Sequence, residues 1–218
     1  DIRIIRLRPA KPLSFSPGQY ATLQLTPDHI RPYSMASLCN DEELEFHIRR
    51  VPDGRVTNYV FDHLKPGDAV RVSGPLGTAY LRTRHEGPLL CVAGGTGLAP
   101  ILSIVRGAIA AHMNNPIRLY FGVRSPQDIY GLDQLKVLQT LHPALELNVI
   151  VTTDDDGHSG RRTGLVTEAI AEDIPDFQGW RAYVCGAPPM VEATAALLRQ
   201  RHMDEKQIHA DAFYASGT

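Results

Sequence analysis

The period of the hydrophobic pattern changes once along this chain, and that change restricts the fold more than any other feature. Residues 19–25, 43–49 and 69–72 alternate apolar with polar side chains, as half-buried strands do. Turns at Pro17-Gly18, Asp53-Gly54 and Pro66-Gly67 separate them. From Pro88 onward, apolar runs at 89–93, 117–123, 145–151 and 181–185 take turns with helical stretches at 99–113, 131–141, 165–172 and 190–203. The first half therefore predicts a small antiparallel barrel or sandwich. The second predicts a mostly parallel α/β sheet covered on both faces. The boundary falls near residue 86, giving domains 1–86 and 87–218. One short helix interrupts the strands, with Thr57 as its cap and residues 58–64 as its body.

Composition removes several classes of function. Of 218 residues only 21% are charged, and the net charge is -2 with a pI near 6.5, so nucleic acid is not the expected partner. Gly, Pro or charge breaks every apolar run before it could span a bilayer. Three cysteines, Cys39, Cys91 and Cys185, are too few and too scattered for a disulfide framework or an iron–sulfur centre. They fit a cytoplasmic chain, with Cys39 and Cys91 as small apolar fillers. No metal site is expected. The sequence has no initiating Met and opens within a strand-like run, so it reads as part of a longer protein.

Two motifs carry chemistry. Gly94-Gly95-Thr96-Gly97-Leu98-Ala99-Pro100 follows an apolar strand and opens a helix. Glycine allows a phosphate close to the backbone, and free N–H groups at the helix start favour the anion. The spacing is neither Gly-x-Gly-x-x-Gly nor a P-loop, so such a turn alone is also an ordinary strand–helix connection. Arg31-Pro32-Tyr33-Ser34 is the second motif. Arg31 can pair with phosphate oxygens, Tyr33 offers a flat face to a ring, and Ser34 offers a hydroxyl.

Together with Cys185-Gly186-Ala187-Pro188-Pro189-Met190, these motifs resemble those of the ferredoxin-NADP reductase superfamily, specifically the NADH-dependent reductase components of bacterial aromatic-ring oxygenases. The resemblance implies a six-stranded Greek-key β-barrel that binds FAD, followed by an α/β domain that binds NADH. It assigns Arg31 to the FAD pyrophosphate, Pro32 and Tyr33 to the flavin face, and Ser34 to the neighbourhood of its reactive nitrogen. By the same likeness His47, Ile48 and Arg49 run along the flavin, and Arg55, Val56 and Thr57 approach the diphosphate. Gly94, Gly95, Thr96 and Gly97 form the pyridine-nucleotide turn, with Cys185 and Gly186 beside the nicotinamide. Arg124 and Asp128 serve the nucleotide. Ser34, Cys185, Asp211 and Phe213 surround the reaction, with Phe213 against the exposed flavin face.

The acidic run Asp154-Asp155-Asp156 would repel a 2'-phosphate, which favours NADH over NADPH. Electrons would leave to a [2Fe-2S] ferredoxin domain or a separate ferredoxin, and from there to a terminal oxygenase. The competing expectations are a reductase that releases free flavin or serves a haem partner, and a non-oxygenase electron-transfer subunit.

Overall fold

The computed structural model describes residues 1–154, 157 and 160–214. Its first half holds strands β1 (Ile2–Leu7), β2 (Tyr20–Thr26), β3 (His29–Ser34) and β4 (Leu44–Arg49), helix α1 (Arg55–Asp62) and strand β5 (Arg71–Leu76). β1 pairs antiparallel with β4, and β2 lies antiparallel between β3 and β5. A single bridge from Met35 to Phe46 links the two sheets. Alternation sets the inward faces: Ala21, Leu23 and Leu25 on β2 and Leu44, Phe46 and Ile48 on β4 are buried together with Val56 and Val60 of α1. These five strands in two sheets stand where a six-stranded barrel is expected. The proline-bearing stretch 8–19 and the stretch 77–86 carry no strand.

Helix α1 departs from its expected start. Asp53 adopts a φ of 59°, which turns the chain early enough for Gly54 to be the cap and Arg55 the first helical residue. Thr57 is thus the third helical residue, inside the first turn. Its hydroxyl accepts from the Val51 N–H at 3.1 Å and lies 3.2 Å from the Gly54 carbonyl, fastening the turn rather than capping the helix.

The second half runs β6 (Leu89–Gly94), α2 (Leu98–Ala110), β7 (Ile117–Val123), α3 (Leu132–Leu141), β8 (Leu145–Val151), β9 (Arg162–Thr163), α4 (Val166–Asp173), β10 (Arg181–Gly186), α5 (Pro188–Gln200) and β11 (Ile208–Ala212). The sheet order is β11-β10-β6-β7-β8-β9, parallel throughout. Central strands need apolar residues on both faces, and β6 supplies them: Leu89 to Ala93 are all fully buried. One core packs α2 and α3 against the sheet, and the other packs α4 and α5. Strand order reverses at β6, whose neighbours are β7 on one side and β10 on the other. A crevice at the carboxyl ends of such strands is where open α/β sheets bind ligands.

The halves are joined closely. A Cβ on Gly107 of α2 would stand 2.5 Å from Pro17, so glycine is needed for that approach. Ser103 of α2, fully buried, donates to the Ser37 carbonyl at 2.8 Å, and Arg106 pairs with Asp41 at 2.8 Å. Among the described residues no helix is long and apolar enough to cross a membrane.

Candidate functional site

A cavity of about 860 Å³ opens between the halves, at the upper end of the ~300–1,000 Å³ that ligand sites usually offer. Arg31, Pro32, Tyr33 and Ser34 of β3 and His47 and Arg49 of β4 line one wall. Gly94, Gly95 and Thr96 line the switch point. The carboxyl ends of β7 and β8, through Gly122, Val123, Arg124, Ile150 and Thr152, complete the other wall, with Asp211 and Phe213 arriving from the C-terminal end.

Strand geometry explains the first wall. Arg31 and Tyr33 are two residues apart on β3 and share a face, and Tyr33 lies opposite Ala21, whose single methyl leaves the ring room. Burial, opposed by the Arg31 charge, pushes the Tyr33 phenol up to about 12, so it stays protonated. Ser34 ends the strand with 8% exposure. The Arg31 guanidinium donates at 3.0 Å to the carbonyl of its own neighbour Ile30. Among the described residues neither Arg31 nor Arg124 has an ion pair, so the cavity carries two cations without counter-charge. Anionic ligands answer that arrangement.

The glycine turn divides its labour. Gly95, with φ 54°, has only the Arg49 guanidinium, at 3.6 Å, near the place a Cβ would take. Its bare backbone lines the cavity. Gly97 is required by packing, since a Cβ there would meet the Cys185 carbonyl at 2.1 Å; a Cβ on Gly94 would displace only the flexible end of Met190, whose Sδ lies 2.6 Å away. Gly186 stands directly behind them, with the place of its missing Cβ 3.0 Å from Gly94 Cα.

Cys185 is fully buried at the end of β10, in register with Ala93 of β6 and Asp211 of β11. Burial first, then the nearby Asp211 and Cys91, holds its thiol well above the usual cysteine range. It is therefore a neutral thiol behind the turn. Asp211 is partly buried, which raises its carboxyl. The Phe213 N–H donates to the Gly186 carbonyl at 2.8 Å and fastens the chain end to β10.

Several expected residues stand away from the cavity lining. Ile48 is in the first core, as is Val56, while Arg55 and Thr57 sit in the first turn of α1. The Asp128 carboxylate bonds the Ser125 N–H and hydroxyl through one oxygen and the Arg49 guanidinium, at 2.9 Å, through the other. Of the acidic run, Asp155 and Asp156 lie outside the described residues, and Asp154 is not in the lining. Cys91 is buried as expected, but Cys39 is exposed and fills no core. Met190, the last residue of the Cys185–Met190 motif, also lines the cavity, as do Leu165, Thr167 and Tyr214, which no motif marks. Their types carry no signal until the chain is folded.

The Oxidoreductase FAD-binding domain family matches residues 1–80, and the Oxidoreductase NAD-binding domain family matches residues 91–196. A ferredoxin–NAD(P)(+) reductase component of the naphthalene 1,2-dioxygenase/salicylate 5-hydroxylase systems of Ralstonia sp is 60% identical over 217 residues, covering 100% of this chain and 66% of the relative. The chain belongs to the ferredoxin-NADP reductase superfamily. A second member, the corresponding component of the naphthalene 1,2-dioxygenase system of Pseudomonas putida, is 56% identical with the same coverage. The chain thus spans 66% of the length of these two reductase components. Among solved structures, an Amycolatopsis cytochrome P450 reductase superposes with a TM-score of 0.91 at 37% identity, covering 98% of this chain and 65% of that one. The superfamily's two-domain FAD/NAD reductase fold accounts for the antiparallel first half and the six-stranded parallel sheet.

Proposed function

We propose that this chain is the FAD- and NADH-binding part of a reductase that supplies electrons, through a [2Fe-2S] ferredoxin domain or a separate ferredoxin, to an aromatic-ring oxygenase. One observation carries the reading: one cavity is lined both by Tyr33 of the first half and by the bare Gly95 turn of the second. The uncompensated arginines and the bare backbone at the switch point fit two dinucleotides. FAD, when bound, accepts two electrons from NADH as hydride and releases them one at a time.

The residues divide the binding. Arg31 pairs with the FAD pyrophosphate, with Arg55, Val56 and Thr57 nearby. Tyr33 and Pro32 cover the flavin face, and the Ser34 hydroxyl hydrogen-bonds the ring. His47, Ile48 and Arg49 support it mainly through backbone. Gly94 to Gly97 and Arg124 receive the NADH phosphates, while Cys185 and Gly186 back the nicotinamide with a thiol that needs no ionisation. Phe213 shields the flavin from water, and Asp211 stands beside the reacting atoms. Asp128 acts by holding Arg49. NADH is preferred to NADPH because Thr152-Thr153-Asp154 follows β8 where a 2'-phosphate would want cations.

The same reading divides the chain near residue 86, in the gap between the two family matches, and closes the five antiparallel strands and the stretch after them into a Greek-key barrel. It also places the protein in the cytoplasm. The names of the two naphthalene dioxygenase components at 56–60% identity support an oxygenase partner over a haem partner, the use named for the structure at 37%.

The test is an anaerobic titration of FAD-reconstituted protein with NADH, then NADPH, followed by addition of a ferredoxin. Flavin bleaching by one equivalent of NADH, with electrons passing to the iron–sulfur absorbance, is expected. Failure of FAD to bind would remove the reading. Dissociation of reduced flavin before transfer would select the free-flavin alternative.

A further inference from the structure

Strand β4 reaches across the cleft at two successive positions on one face. His47 Nδ1 lies 2.9 Å from the Tyr130 hydroxyl, and Arg49 donates to Asp128 at 2.9 Å. Both members of each side are two residues apart, so two parallel crossings tie one strand to one segment. The His47 side chain is 0% exposed, and each buried ring nitrogen needs a partner within the protein. In the neutral ring whose Nε2–H donates to Glu45 at 3.0 Å, Nδ1 accepts the Tyr130 O–H. The other Glu45 oxygen is held by Arg6 at 2.9 Å. Tyr130 is braced from behind by Phe121, edge-on at 5.9 Å between centroids, and meets the His47 ring at 5.3 Å.

These crossings join the two walls of the cavity. His47 and Arg49 belong to the first wall, and the segment bearing Asp128 and Tyr130 begins just after Arg124, on the second. Tyr130 itself is not in the lining; its hydroxyl is bound to His47, which is.

We propose that Glu45, His47 and Tyr130, together with Arg49 and Asp128, form a clamp that sets the spacing of the two cavity walls, which makes Tyr130 a positioning residue for transfer between the molecules those walls hold. What is transferred rests on the function proposed above, but the clamp itself does not. Reaction between two bound rings is sensitive to such spacing, since a misplacement of about 1 Å can cost on the order of a hundredfold in rate. Removing only the Tyr130 hydroxyl keeps both ring contacts and leaves the buried Nδ1 unpaired. The bonds from Ser103 to Ser37 and from Arg106 to Asp41 still join the halves.

The experiment compares the full chain with its Tyr130→Phe variant. Nitroxide labels are placed on Ile30→Cys, an exposed position of β3, and on Val137→Cys, an exposed position of α3, with the exposed Cys39 changed to Ser. Without cofactor, the parent gives one narrow distance distribution and the variant a broadened one. With FAD bound at unchanged affinity, reduction by NADH slows about tenfold to a hundredfold in the variant, seen in kcat rather than KM. Where Tyr130→Phe fails to fold, Asp128→Asn takes its place with the same two readouts. An unchanged distribution overturns the clamp, whether or not the rate falls, because a slower rate at fixed spacing would put the hydroxyl in the chemistry instead. A parent that binds no FAD refutes the proposed function, while the distance measurement still decides the clamp.

Discussion

Arg31 and Arg124 are the lining arginines that have no ion pair among the described residues, whereas Arg49 is paired with Asp1 and Asp128. A charge-assisted hydrogen bond contributes about 1.5–3 kcal/mol, so Arg31→Ala should weaken FAD binding roughly tenfold to a hundredfold. Fluorescence titration of apoprotein measures it, and an unaltered dissociation constant would take Arg31 out of the phosphate site. Motif residues of this kind were legible in the sequence because their chemistry is local to the side chain. Thr57 and Asp128 were legible only as polar residues: a helix start three residues earlier than expected redirected the first, and Arg49, a distant partner, claimed the second. The cysteines make a sharper test. Cys91 is fully buried, and burial alone pushes its thiol to about 12, while Cys185 is buried and raised as well. Thiolate is the reactive form. Iodoacetamide at pH 8 should therefore modify Cys39 and spare Cys91 and Cys185 until the protein is denatured, as peptide mass spectrometry would show; rapid labelling of Cys185 in the native chain would contradict its placement.

Elements were readable in proportion to how completely they are buried. The strands β6, β7, β8 and β10 are mostly apolar because both faces of the sheet are largely covered, and their expected limits agree with the structure to within a residue. β3 is hidden by Pro32 and by the polar residues it presents to the cavity. β11, with the sequence Ile-His-Ala-Asp-Ala, has an edge strand's mixed polarity, and β9 is only two residues long. β11 brings a titratable group with it. The His209 ring stacks on Tyr183 at 5.3 Å, its Nε2 is buried without a partner, and burial, aided by Arg82 and Arg181, lowers its pKa to about 4. Below the ordinary value of 6.5 the unfolded chain takes up a proton that the folded one refuses. Stability is therefore lost as pH falls from about 6.5 toward about 4. His209→Gln should flatten that limb, so that its melting temperature drops less than the parent's between pH 7 and pH 5; parallel curves would show that His209 is not desolvated in the native state.

At the scale of the whole molecule, the cavity belongs to neither half alone, and this was the least legible property of the sequence. Two motifs about sixty residues apart suggest two cofactors, but nothing local says that Pro17 packs on Gly107, that Ser37 accepts from a buried serine of α2, or that His47 and Tyr130 share a hydrogen bond. Those contacts make the halves energetically dependent. A buried polar group that loses its partner costs about 1–3 kcal/mol, so one half cannot unfold without exposing or orphaning groups of the other. Calorimetry of the chain without cofactor should accordingly give one transition whose calorimetric and van't Hoff enthalpies agree. FAD, bound on the first wall but confined by the second, should raise that single transition as a unit, by about 2.7 kcal/mol at a hundred times its dissociation constant. If saturation with FAD instead split the endotherm and moved only one component, the halves would be independent lodgings for their ligands. The spacing of the two walls would then have to be created by the ligands rather than supplied by the fold.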